Sequence, residues 1–119
     1  MDGDAFEAFV ANQSFAITDP KGARAYGTEH YFPGRRVTWR WLETGECEEG
    51  TWYESDQFAG GPALCFQYVD EPLLQCWRYE RKGEGMRATF LGQPEAPQNL
   101  AGYAIAPDPG ASFCEYLGS

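Results

Sequence analysis

Within the stretch Arg35 to Leu42 the chain alternates: Val37, Trp39 and Trp41 fall on one side, Arg36, Thr38 and Arg40 on the other. A period of two with one apolar side is the pattern of a strand in a sheet with one buried face. The pattern recurs downstream. Glu46 to Glu54 sets Glu48, Gly50 and Trp52 against Cys47, Glu49, Thr51 and Tyr53. Ala63 to Val69 sets Leu64, Phe66 and Tyr68 against Cys65, Gln67 and Val69. Leu74 to Arg81 places Trp77 and Tyr79 opposite Cys76, Arg78 and Glu80, and Met86, Ala88 and Phe90 alternate with Arg87, Thr89 and Leu91. Ser14 to Thr18 and Arg24 to Phe32 read as strands ahead of this series, and Leu100 to Ala106 as a last one.

Turn signals separate these stretches: Asp19-Pro20-Lys21-Gly22, Glu43-Thr44-Gly45, Asp70-Glu71-Pro72 and Lys82-Gly83-Glu84-Gly85. Pro33-Gly34 fits the two central positions of a type II turn and makes 24–32 and 35–42 a hairpin. Type II is not the favoured hairpin turn, so a bulge is expected nearby. Gln93 to Gln98, with Pro94 and Pro97, reads as a loop. Asp4 to Gln13 reads as a short helix. Asp4 serves as N-cap with Glu7 three residues on, and Phe6, Phe9 and Val10 form one apolar stripe. Short strands at about 8 to 12 residue spacing, joined by short turns, specify an antiparallel meander. Closure into a barrel removes both exposed edges. The expected fold is therefore all-β: about eight antiparallel strands closed into a small barrel, with a short N-terminal helix closing one end. The chain reads as a single domain over residues 1–119, with helix at 4–13, barrel at 14–106 and a C-terminal tail at 107–119.

Composition sharpens this. Aromatic residues make up 16% of the 119 residues, and they favour strands and bury large areas. The formal charge of -9 repels phosphate backbones and anionic lipid, so no nucleic-acid partner is expected. No apolar run approaches the roughly 20 residues of a membrane helix, so membrane insertion is not expected either. Met1-Asp2-Gly3-Asp4 is no signal peptide. Four cysteines without a C-x-x-C spacing point to disulfides rather than zinc or thiol redox chemistry, and hence to export into an oxidising compartment, the periplasm or beyond, with the leader removed. Cys65 and Cys76 would face each other across a tight hairpin, leaving Cys47 and Cys114 to anchor the tail. Cys47–Cys65 with Cys76–Cys114 is the rival pairing, and four reduced, buried thiols the other possibility.

The run Y-G-T-E-H-Y-F-P-G-R-R-V-T-W (Tyr26 to Trp39), followed by C-E-E-G-T-W-Y-E, C-F-Q-Y and Q-C-W-R-Y, resembles a family of small uncharacterised bacterial proteins, many of them exported. The resemblance runs from about Phe6 to Phe90. It implies a compact exported protein and carries no activity. Gly50-Thr51-Trp52 is also similar to the G-x-W of lipocalins, although lipocalins place that motif on their first strand and here it lies mid-chain; the barrel is in this sense lipocalin-like.

Candidate chemistry is sparse. His30 is the sole histidine, and a nucleophilic triad would have to use it. Glu46, Glu48, Glu49, Glu54 and Asp56 supply carboxylates that read as a solvated edge; glycosidase-type work needs two of them in a cleft. They lack the spacing of a calcium loop, and no phosphate-binding glycine loop occurs, so neither metal nor cofactor is expected. The aromatic set is the strongest lead. Trp39, Trp41, Trp52, Phe66, Tyr68, Trp77, Tyr79 and Phe90 share one side of the meander. They either fill the barrel or line a pocket for one small apolar or planar ligand, with His30 or Arg40 near its mouth. Glu48 falls on the same side, where a carboxylate is costly unless paired, so it marks a pocket or a bulge turns it outward. Three functions follow: a non-enzymatic carrier or sensor, monomeric or weakly dimeric; an envelope interaction module with a filled core; and a carboxylate-based enzyme.

Overall fold

A computed structural model describes residues 1–93, 96–97 and 102–118. The alternating stretches become strands of one sheet that closes on itself. β1 (Ser14–Thr18), β2 (Ala25–Phe32), β3 (Arg36–Trp41), β4 (Cys47–Ser55), β5 (Ala63–Tyr68), β6 (Gln75–Lys82) and β7 (Gly85–Gln93) pair in chain order, each antiparallel to the next. β8 (Ala96–Pro97) adds a two-residue pairing to Gly92 and Gln93 at the end of β7. β9 (Gly102–Pro107) pairs with β7 along one edge and with β1 along the other, which closes the eight-stranded barrel. The remaining positions of the loop expected at 93–98, and the first residues of the last expected strand, lie outside the described residues.

The helix α1 (Gly3–Val10) starts one residue earlier than the sequence suggests. Asp2, not Asp4, is the N-cap, and its carboxylate accepts the Ala5 amide at 2.8 Å. The helix also ends before Gln13, because Asn12 takes a positive φ of 57°. Its apolar stripe is the one expected: Phe6 and Val10 are buried and Phe9 packs beside them. Phe6 enters the barrel and is fully buried there. Its ring stands edge-on to Tyr31 at 5.4 Å, Trp52 at 5.0 Å and Phe66 at 6.4 Å, and lies 4.6 Å from Tyr79. Edge-to-face packing at these separations is favourable beyond the area buried, so one end of the barrel is solid.

The β2–β3 hairpin sets the register of everything above it. Phe32 pairs with Arg36, so the loop is Pro33, Gly34 and Arg35, one residue longer than a two-residue turn. Gly34 has the positive φ expected of it (82°), and Arg35 has one too, at 57°. A left-handed arginine is strained, and the fold holds it in place. Its guanidinium donates from Nε to Glu7 (2.8 Å) and from Nη2 to Asp4 (3.0 Å), and lies 4.7 Å over the Trp52 ring. The extra residue turns Gly27, Glu29 and Tyr31 inward, opposite Trp41, Trp39 and Val37, and turns His30 outward opposite Thr38.

Both disulfides form. Cys65 and Cys76 are bridged as direct cross-strand partners on β5 and β6, and Cys47 is bridged to Cys114. The rival pairing and the free thiols are thereby excluded. The second bridge straps the tail across the outer side of β2 and β3. Thr38 donates its hydroxyl to the Cys114 carbonyl (2.7 Å), Thr28 donates to that of Ser112 (3.3 Å), and Phe113 stacks on His30 at 3.8 Å. No helix among the described residues is long and apolar enough to cross a membrane.

Candidate functional site: an aromatic cavity with a buried carboxylate

At the end of the barrel away from the helix the interior is not filled. A cavity of about 280 Å³ lies there, walled by Trp39, Trp41, Tyr68, Trp77, Tyr79 and Tyr103. The volume sits at the lower edge of the usual range for small-molecule sites, about 300–1,000 Å³. Alternation places these rings. Trp39 and Trp41 come from β3, Tyr68 from β5, Trp77 and Tyr79 from β6, and Tyr103 from β9. Two glycines make room for them. A Cβ on Gly27 would come within 2.4 Å of the Trp39 ring, and one on Gly50 within 2.9 Å of the Tyr68 ring. Each ring comes so close to the glycine backbone that a side chain there would clash.

Among these rings sits Glu29. It is only 7% exposed, and it lines the cavity. Burial raises its pKa from 4.5 to about 7, against a smaller downward pull from the neighbouring Tyr31 hydroxyl. That hydroxyl is itself buried and has no aligned hydrogen-bond partner among the described residues. It faces Glu29 closely enough to favour the ionised form without completing a bond to it. The phenols of Tyr31, Tyr68 and Tyr79 are all held well above 10, by burial first and then by the Glu29 charge. Glu48 reaches the same cavity from β4 and accepts a hydrogen bond from the Trp41 indole at 2.7 Å.

The residues singled out in the sequence divide into three groups. Trp39, Trp41, Tyr68, Trp77 and Tyr79 line the cavity. Trp52 and Phe66 face inward as expected but pack on Phe6 in the solid end. His30 and Arg40 are corrected: neither is near the mouth. The register puts both on the outer side of the sheet, where His30 is hydrogen-bonded to Ser14 (2.6 Å) and covered by Phe113. That cover pulls the His30 pKa below its ordinary value, through desolvation of the charged imidazole. Glu48 marks a pocket and is not turned out by a bulge. Glu29 was not anticipated. Its signal was present in the alternation of Gly27, Glu29 and Tyr31, but only a correct hairpin register reveals which side of β2 faces in.

Geometry thus defines a class: a small closed antiparallel barrel, solid at its helix end and hollow at the other, with a carboxylate among the rings. Comparison with known protein families, with curated proteins and with solved structures finds no match to this chain.

Proposed function

We propose that this protein is a non-enzymatic carrier or sensor that holds one small, planar, largely apolar molecule in the hollow half of its barrel. The observation that carries this reading is the cavity itself. Rings from five strands surround a space in a molecule whose other half packs solidly, and protein interiors do not normally leave such space unfilled. The two disulfides are consistent with an oxidising compartment, and the periplasm of a bacterium, as a monomer or weak dimer, fits the family that the sequence resembles. The hollow half also weighs against the envelope module, which called for a filled core.

Native mass spectrometry of protein purified from its own host tests this reading. A retained small molecule, lost on unfolding, is the expected result; a clean apo mass from repeated preparations counts against it. One observation favours a second reading. Glu29 has the raised carboxylate pKa that acid–base catalysis requires, and Glu48 shares its cavity. An enzyme of this kind would release a changed compound from a host extract, and Glu29→Gln would stop the change.

A further inference from the structure

Resting on the carrier reading, we propose that the occupant carries a positive charge, an ammonium or other alkylated nitrogen, seated on Glu29 between the aromatic faces. The cavity offers what a cation needs and, among the described residues, no positive charge for an anion. Among the described residues its carboxylates are Glu29 and Glu48, and no lysine, arginine or histidine lines it. Aromatic faces attract cations through their quadrupole, and cages of several rings are the usual way to hold a quaternary ammonium. Trp39 lies directly across the ladder from Glu29, so ring and carboxylate present themselves together. The net charge of -9 draws cations toward the barrel over longer range.

Glu29 itself supplies the independent argument. A carboxylate this deeply buried, with only the neutral Tyr31 hydroxyl to ease it, is expensive to ionise. A bound cation offsets that cost, which the Tyr31 hydroxyl only lessens and no positively charged group among the described residues lining the cavity offsets. The titratable groups around it are Tyr31 and Tyr26 on its own strand, Tyr68 on β5, Tyr79 on β6, Tyr103 on β9 and Glu48 on β4; β1 brings Phe15 and Ile17, and β3 Trp39 and Trp41. None carries a positive charge. Binding of a permanent cation is therefore coupled to loss of one proton from Glu29 to solvent. Affinity should rise up to tenfold per pH unit below about 7 and level off above it.

Phenyltrimethylammonium and its uncharged isostere tert-butylbenzene differ only by nitrogen for carbon. Titration of each with the intact, oxidised protein, followed by ligand-observed NMR between pH 5.5 and 8.5, separates charge from shape. The expected result is at least tenfold tighter binding of the cation at pH 8, with affinity falling on acidification. Glu29→Gln should abolish both the preference and the pH dependence. Because that variant removes a buried charge, it should fold at least as well as the wild type. Equal or better binding of tert-butylbenzene overturns the charge assignment and leaves the carrier reading standing. A cation preference that survives in Glu29→Gln overturns the role of Glu29. If neither compound binds at millimolar protein, both readings fall.

Discussion

The two ends of the barrel are built from the same strands and the same kinds of side chain, yet one is solid and the other hollow. At the helix end Phe6 enters from α1 and finds Tyr31, Trp52, Phe66 and Tyr79 around it. At the far end the rings of Trp39, Trp41, Trp77 and Tyr103 stand around a space, and among the side chains that β2 and β4 turn into it are two carboxylates, Glu29 and Glu48. The difference teaches that aromatic content alone does not decide between a core and a site. What decides is whether a further element supplies the central ring, and whether the inward positions include groups that apolar packing cannot satisfy. Tyr31 marks the border: its ring packs on Phe6, while its hydroxyl looks toward Glu29.

Breaking the solid end should have the largest effect. Phe6→Ala leaves a cavity where the rings converge and should cost about 3–5 kcal/mol, read as a lowered denaturant midpoint with little change in slope. Severing the strap comes next. The Cys47–Cys114 bridge spans 67 residues, and the chain-entropy relation puts its loss at about 4 kcal/mol, against about 3 for Cys65–Cys76, which spans 11. Paired serine variants, compared by thermal unfolding, should keep that order; the reverse would mean that tail contacts contribute nothing once the bridge is gone.

At the hollow end the sign is opposite. The Glu29 pKa is higher in the folded chain, about 7, than its ordinary 4.5. Between those values the folded state holds a proton that the unfolded state has lost, so stability falls as pH rises through this window and is flat above it. The full drop is on the order of 3 kcal/mol, from 2.5 pH units at about 1.4 kcal/mol each. Glu29→Gln should flatten this part of the stability profile and leave the protein more stable than wild type at pH 8. A wild-type profile that rises between pH 5 and 7 would contradict the burial of that charge. Smallest is Tyr31→Phe, which removes an orphaned hydroxyl and should be neutral or stabilising by up to about 1 kcal/mol at low pH. The same change removes a group that favours the ionised carboxylate, so the Glu29 titration should move further up.

The barrel itself was legible, because strict alternation in β3 to β7 fixes which side chains face in, and the turns between them are short. The helix was legible through Phe6, Phe9 and Val10, although its cap was misplaced by two residues once Asp4 was found on Arg35 instead. The site was only partly legible, and a single residue explains why. With Pro33-Gly34 as a two-residue turn, His30 would share the inner side with Val37 and Trp39. The structure counts Arg35 into the loop, and a slip of one flips every side chain of a strand. That slip exchanges His30 for Glu29. Nothing in Pro33-Gly34-Arg35 announces that an arginine will sit at positive φ. The reason lies in Asp4, Glu7 and Trp52, which are distant in sequence and close in space.

Gly27 has a consequence of its own. Trp39 rests where a single methyl group would stand if residue 27 were alanine, at 2.4 Å from the ideal position. The Arg40 carbonyl stands 2.5 Å from the same point, so the added methyl would press on both the indole and the strand that carries it. The aperture of this receptacle is thus set from behind its wall, by an atom that is missing.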